Sequence, residues 1–366
     1  MTIAVGKIEK QSPIFMSSFQ VKIVGDFCNL RCIYCRNRDF NQNKSTVMLP
    51  ETLEKLFVFL NLLPQDRVRI NWNGGEPLLA GKDFFSRIIR LEKKYTGKVW
   101  LNMIQTNAML VDNEWAGLFS ANDFRVGVSI DGSKETHDKN RKNIAGQGTY
   151  EKAMCGVNIL RTHNIYPSTI CTITKKTVKY AKEIFRSLIE NGFKNLAFNV
   201  FYNTASDYSE DIYSLTDKEW LNFLTEVFDE WLILNDPTVR VREIDGILAW
   251  VKSRSANNCT YRGTCYQWFA VDYTGDIYPC ERYGKITRFG SINSYETFSG
   301  TVTSSVLTKW RKNIEVLPQK CQSCSLQSLC NNGCSQHREA DTQGVPLYTY
   351  CESRLGLYYY IQQKLN

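Results

Sequence analysis

From Phe19 to about Tyr202, six short β-branched runs alternate with amphipathic stretches, and that alternation restricts the chain to very few folds. The strand-like runs are FQVKIVG from Phe19, VRINWNGG from Val68, VWLNMIQTN from Val99, RVGVSIDG from Arg125, STICTIT from Ser168 and LAFNVFY from Leu196. Between them, PETLEKLFVFLNLL from Pro50, KDFFSRIIRLEKKY from Lys82 and KYAKEIFRSLIENG from Lys179 carry helical periodicity. Strands separated by helices pair in parallel through right-handed crossovers, so the expected class is α/β, as a barrel or an open doubly wound sheet. SLTDKEWLNFLTEVFDEWLIL from Ser214 reads as one long amphipathic helix, with Thr216 as N-cap and Glu219 as its capping-box partner. Beyond Asp236-Pro237 the composition changes. Eight of the thirteen cysteines lie from Cys259 onward, among short strands and a hairpin turn at Tyr273-Thr274-Gly275-Asp276. The expected division is an N-terminal extension over 1–18, a barrel-like domain over 19–236 and a cysteine-rich domain over 237–366.

Disulfides are a poor explanation for so many cysteines. Met1 to Gln20 lacks a charged segment followed by an apolar run, so no secretory signal is visible and a cytoplasmic protein, in which disulfides are rare, is expected. No run of eighteen apolar residues is present, so no membrane-spanning helix is expected. Lys and Arg outnumber Asp and Glu by 45 to 37, but the basic residues are scattered rather than gathered in a stripe, so nucleic acid is not the expected partner. Metal is the remaining reading. Cys28, Cys32 and Cys35 sit just past the first strand, where an α/β barrel keeps its reactive loops. Three thiolates hold three irons of a four-iron cluster and leave the fourth open to a ligand from outside the protein. A structural zinc would want a fourth Cys or His nearby, and none follows until His137.

CxxxCxxC after the first strand of a βα series, with Tyr34 before the last cysteine, resembles the radical S-adenosylmethionine (SAM) superfamily. The resemblance implies a partial (β/α)6 barrel and a 4Fe–4S cluster whose open iron chelates the amino and carboxylate groups of SAM, which is then split to a 5′-deoxyadenosyl radical. Three further segments match the family's SAM-binding places. Asn73-Gly74-Gly75-Glu76-Pro77 follows the second strand, where glycines let the backbone approach the methionine amine and Glu76 or nearby carbonyls are expected to accept it. Gln105-Thr106-Asn107 ends the third strand. Ser129-Ile130-Asp131-Gly132 ends the fourth, with Ser129 and Asp131 expected on one face for hydroxyl contacts and Arg141 paired with the methionine carboxylate. The implied SAM contacts are therefore Tyr34, Gly74, Gly75, Glu76, Gln105, Asn107, Ser129, Asp131 and Arg141.

The C-terminal third resembles the SPASM extension of radical SAM enzymes: Cys265, Gly275, Cys280, then Cys321-x2-Cys324-x5-Cys330-x3-Cys334, then Cys351. Cys259 supplies an eighth thiolate. By resemblance to sulfatase-maturating members, one auxiliary 4Fe–4S cluster takes Cys259, Cys265, Cys280 and Cys334, and the other takes Cys321, Cys324, Cys330 and Cys351. Zinc at these spacings is the alternative reading of the residues. Cys155 and Cys171 are left over and are expected to be buried small hydrophobes.

Two fully ligated auxiliary clusters suit a net two-electron oxidation in which they accept or relay an electron. Glu281, directly after Cys280, is the expected catalytic base, standing where sulfatase-maturating relatives have an Asp; the alternative is a loop ion pair with Arg282 or Arg288. Glu281, the short YGK stretch before FGSI, and CRN from Cys35 make the leading expectation a peptide maturase. It would join Cβ of one residue to a nearby aromatic ring as a cyclophane. The alternatives are an anaerobic sulfatase-maturating enzyme that makes formylglycine from Cys or Ser and, more distantly, a non-catalytic zinc scaffold. The expected partners are a precursor peptide and a reductant such as flavodoxin or ferredoxin. Because only eighteen residues precede the first strand, leader recognition is expected to use the barrel and C-terminal surface or a separate leader-binding protein.

Overall fold

The computed structural model describes residues 18–35, 46–201, 212–253, 258–262, 265, 268–283, 287–294, 304–340 and 344–365. The N-terminal extension up to residue 17, Arg36-Asn37 of the CRN stretch and Gly284-Lys285 of the YGK stretch lie outside the described residues.

All six expected runs form strands: β1 (Ser18–Lys22), β2 (Arg67–Asn73), β3 (Val99–Thr106), β4 (Arg125–Ser129), β5 (Ser168–Ile173) and β6 (Asn195–Val200). They pair in parallel and in chain order, β1 to β6. A doubly wound sheet reverses its order at a switch point. This sheet has no such reversal, which selects the partial barrel. Helices α1 (Pro50–Asn61), α2 (Lys82–Lys94), α3 (Asn113–Ala121), α4 (Lys134–Asn140), α5 (Tyr150–Thr162) and α6 (Ala181–Glu190) provide the crossovers.

The core follows from the two periodicities. Val68, Ile70 and Trp72 alternate onto the buried side of β2 while Arg67 and Arg69 face out. Phe84, Phe85, Ile88 and Leu91 form the buried stripe of α2. Phe85 meets Trp115 edge-on with ring centroids 5.2 Å apart, and Phe119 packs on Phe124 at 5.4 Å, so helix and sheet meet through interlocked rings. On α5 the buried side is Ala153, Met154, Gly156, Val157 and Leu160, which leaves Cys155 on the outer side. Cys155 is exposed, contrary to the expected burial, whereas Cys171 on β5 is fully buried.

The long helix α7 spans Asp217–Leu234 and carries the expected capping box: Thr216 Oγ1 accepts from Glu219 N, and Thr216 N donates to Glu219 Oε2. The sheet does not stop near residue 237. β7 (Arg240–Val241) extends it beside β6, and on α8 (Arg242–Ser253) Glu243 accepts the Phe198 amide at 3.1 Å. At the other edge, β8 (Phe269–Val271) lies parallel to β1, followed by β9 (Asp276–Tyr278) and β10 (Gly290–Ser291) in antiparallel pairing. The turn between β8 and β9 falls at the expected Tyr273–Asp276 segment. One ten-stranded sheet thus joins the barrel to the start of the cysteine-rich region. Short helices α9 (Cys259–Arg262), α10 (Ser305–Glu315), α11 (Gln319–Gln322) and α12 (Gln327–Cys330) follow, and α13 (Cys351–Leu365) packs along α7. Among the described residues no helix is long and apolar enough to cross a membrane.

Candidate functional site

The loop after β1 carries Cys28, Cys32 and Cys35 and is clamped by the segment after α4. Arg31 N donates to Lys142 O at 2.7 Å, Ile33 N donates to Asn140 O at 2.9 Å, and Leu30 bridges Asn143. Tyr34 locks the loop from its side chain, donating to Asp131 Oδ2 at 2.8 Å. The other Asp131 oxygen accepts from Arg141 Nη2 at 3.0 Å and from Thr172 N at 2.9 Å, and the Arg141 guanidinium lies over the Tyr34 ring at 5.3 Å. Asp131 is 1% exposed and all of these contacts are internal. It does not share a face with Ser129 as the alternation suggested. The chain leaves the strand after Ser129, so Asp131 turns toward β5 and the cluster loop while Ser129 accepts from Gln105 Nε2 at 3.0 Å. Asp131 is therefore the hub that places Tyr34 and Arg141.

His137 supports the same turn. Arg141 N donates to His137 O, and His137 Nδ1 accepts the Asp131 amide at 3.3 Å, which leaves Nε2 carrying the proton toward Thr149 Oγ1 at 3.1 Å. Burial holds the imidazole pKa down to about 4, so this ring is neutral.

The glycines after β2 serve close packing. Gly75 N donates to Gly25 O, and a Cβ on Gly75 would sit 2.0 Å from Phe27 O; Gly74 has φ +131°. Glu76, expected to receive the methionine amine, is 1% exposed and already accepts three internal hydrogen bonds: Oε1 from Leu78 N and Thr106 Oγ1, and Oε2 from Asn107 N. It ties the β2 loop to the end of β3, and burial raises its pKa to about 7. Asn107 reaches the cluster loop, donating to Asn29 Oδ1 at 2.7 Å with Cys28 Sγ 3.9 Å away.

Glu281 makes neither of the expected ion pairs. It accepts from Asn73 Nδ2 at 2.7 Å, while Arg288 pairs with Asp276 and Arg282 turns to Cys334 and His337. A residue of the cysteine-rich region is thereby fixed to the C-terminal end of β2, beside Gly74-Gly75-Glu76. Asn73 lies inside the motif that drew attention to this loop, but the sequence alone offered no sign of its partner two hundred residues away. Among the described residues its Oδ1 is buried without a partner, as is Arg141 Nε. Two orphaned polar atoms at one barrel mouth fit a polar ligand there.

None of the thirteen cysteines is in a disulfide. Cys28 feels the charge of Cys32 and Cys35, Cys32 feels that of Cys35, and burial pushes the Cys32 thiol up to about 11 despite the opposing Arg141. In the C-terminal region the charge on Cys334 reaches Cys259, Cys265 and Cys280, whereas Cys321 feels Cys330 and Cys324, and Cys351 feels Cys330 and Cys321. These interactions run within two sets, Cys334 with Cys259, Cys265 and Cys280, and Cys330 with Cys321 and Cys351. Cys351 is set in place by Asp217 at the head of α7, whose two oxygens accept from Glu352 N and Ser353 N at 2.7 Å. Among the described residues no three His, Cys, Asp or Glu side chains are close enough to share one metal ion. Ligands of a 4Fe–4S cube bind different irons at different corners and stand apart, so thiols that interact without converging fit such a cluster, which also supplies the positive charge that buried thiolates need.

The Radical SAM superfamily pattern matches residues 22–188, and the SPASM iron–sulfur cluster-binding domain matches residues 259–325. A cysteine-type anaerobic sulfatase-maturating enzyme of Clostridium perfringens (strain 13 / Type A) is 30% identical over 368 aligned positions, covering 95% of this chain and 97% of the relative. A serine-type enzyme of Bacteroides thetaiotaomicron is 28% identical, covering 93% and 88%. The solved structure of anSMEcpe with bound AdoMet and Cp18Cys peptide superposes with a TM-score of 0.86 at 28% identity, over 95% of this chain and 97% of that one. Streptococcus suis SuiB shares the fold alone, with a TM-score of 0.64 at 15% identity over 88% of this chain and 74% of that one.

Proposed function

The chain belongs to the radical SAM superfamily and carries a SPASM iron–sulfur domain, and on that premise we propose that it oxidises a Cys or Ser side chain of a peptide or protein substrate to formylglycine, as sulfatase-maturating enzymes do. One observation carries this reading: the similarity to those enzymes runs through barrel and cysteine-rich region alike, nearly end to end. It displaces the cyclophane reaction as the leading expectation. The bound peptide in the anSMEcpe structure supports a peptide partner for this chain too, and a flavodoxin or ferredoxin is the class of reductant it needs.

Cys28, Cys32 and Cys35 hold the SAM-binding cluster in this reading, and the eight C-terminal cysteines hold the two auxiliary clusters. When bound, cluster and SAM supply the 5′-deoxyadenosyl radical that takes one hydrogen from substrate Cβ. Arg141, oriented by Asp131, would pair with the methionine carboxylate of bound SAM. Glu281, oriented through Oε2 by Asn73, receives the accompanying proton on its other oxygen, which has no partner among the described residues. A Ser substrate becomes an aldehyde directly. A Cys substrate passes through a thioaldehyde that water converts to the aldehyde with release of hydrogen sulfide.

Cross-linking remains a second reading on one feature, the extra methylene of Glu281 relative to the Asp of sulfatase-maturating relatives. The test is to incubate the reconstituted enzyme with SAM, reductant and peptides bearing Cys or Ser, then trap with a hydrazide. A hydrazide adduct, with Cβ deuterium recovered in 5′-deoxyadenosine, is expected. An unreactive product lacking two hydrogens and resisting fragmentation between two residues replaces this reading with the cross-link. Glu281→Gln should keep SAM cleavage and reduce product by about 10²–10⁴-fold.

A further inference from the structure

Cys280, Glu281 and Arg282 are consecutive, and each faces a different part of the reaction. Cys280 belongs to the auxiliary cluster group with Cys259, Cys265 and Cys334, and Glu281 reaches the barrel through Asn73. Arg282 turns the other way. Its Nη1 donates toward Cys334 Sγ at 3.6 Å and meets His337 Nε2 at 3.0 Å. A guanidinium only donates, so His337 Nε2 accepts and the ring proton sits on Nδ1; the imidazole acts as a neutral strut that aims the guanidinium. No carboxylate lies within ion-pair distance of Arg282 among the described residues, and Cys334 is the strongest negative neighbour it has, ahead of Cys280, Glu281 and Cys259. A buried cation of this kind needs a compensating anion, and four thiolates around a cluster are the anion at hand.

The second cluster group is built differently. Arg354 of α13, a buried arginine, stacks on the Tyr261 ring at 3.6 Å and donates to Thr260 O and the Tyr348 hydroxyl, while Arg338 and Lys320 act on Cys321 through charge without a hydrogen bond to it. Among the described residues no side-chain N–H reaches Cys321, Cys324, Cys330 or Cys351.

We propose that Arg282 raises the reduction potential of the auxiliary cluster held by Cys259, Cys265, Cys280 and Cys334, and so makes that cluster the first acceptor of the substrate electron. The substrate loses one Cβ hydrogen atom to the deoxyadenosyl radical, its hydroxyl or thiol proton to the Glu281 carboxylate and one electron to this cluster. That electron adds negative charge to a site already bearing four thiolates. A fixed guanidinium within N–H···S reach stabilises the reduced form more than the oxidised one, and the low local dielectric enlarges the difference. The inference rests on the reading above, in which an auxiliary cluster accepts the electron.

The test is an EPR-monitored redox titration of the fully loaded protein without peptide, comparing wild type, Arg282→Gln and Arg282→Lys. Arg282→Gln should lower the potential of one auxiliary cluster by about 59 mV or more, a tenfold change in a one-electron equilibrium. The other two clusters should stay where they were, and Arg282→Lys should recover part of the shift. Unchanged potentials at full iron content overturn the proposal. Should Arg282→Gln fail to load iron, the wild type labelled with 15N-arginine still decides: a 15N coupling to one reduced auxiliary cluster that Arg282→Lys removes supports the contact, and its absence overturns it. Because no peptide is present, a wrong substrate assignment shows up only in the hydrazide assay.

Discussion

The two cysteine regions are assembled in opposite ways. Cys28, Cys32 and Cys35 lie on one loop, held by backbone hydrogen bonds to residues 140–143 and by the Tyr34–Asp131–Arg141 contacts. The eight C-terminal cysteines are drawn from separate segments between residues 259 and 351, and the charge on Cys334 reaches Cys259, Cys265 and Cys280 far back in the chain. A local ligand set can leave one iron open because the loop's shape is set by the barrel. A dispersed set closes the chain on itself, and the cluster it holds becomes part of what stabilises that region.

The largest effect expected from this difference is on SAM cleavage. Replacing Cys28, Cys32 and Cys35 together by Ala should abolish it while leaving roughly eight of about twelve irons per chain. Replacing Cys334 alone should instead spare reductive SAM cleavage, remove roughly four irons and loosen the C-terminal region to limited proteolysis. Iron analysis beside a 5′-deoxyadenosine assay checks both. Equal iron loss in the two variants would break the contrast.

A smaller effect concerns stability of the barrel loop. Asp131→Ala leaves the buried Arg141 guanidinium without its carboxylate and frees Tyr34, so it should lose about 3–5 kcal/mol in anaerobic denaturant unfolding. A loss below about 1 kcal/mol, the range of an exposed pair, would mean that the backbone clamp alone shapes the loop.

The smallest effect lies outside both cysteine regions and calibrates them. Glu92 on α2 accepts from Asn102 Nδ2 at 2.7 Å, and burial raises its pKa to about 7. A carboxyl raised in the folded state favours the protonated form, so its contribution to stability is complete below about 4.5 and is lost as pH rises through about 7. Glu92→Gln should flatten stability against pH in that window. An unchanged slope would assign it to other groups, Glu76 first among them.

Much of this molecule is legible without coordinates because its determinants are local. The six strands, the capping box at Thr216 and Glu219, and the spacing of the cluster cysteines depend on neighbours within a few residues, where periodicity and capping chemistry act. The comparison with known relatives bears out the superfamily and both iron–sulfur regions, while the cyclophane expectation leaned on short stretches that fall partly outside the described residues. The positions that sequence could not assign share one property: their partners are remote. Asp131 and Glu76 sit in motifs expected to contact SAM, yet their oxygens accept from Tyr34, Arg141, Thr106 and Asn107. Asn73 meets Glu281, and Arg282 meets Cys334, only because β8 lies against β1 and folds the hairpin region over the barrel edge. A residue type and its spacing determine what chemistry a side chain can do. Which hydrogen-bond partner satisfies it once buried is a matter of which distant backbone arrives beside it, and that was decided by the tertiary structure.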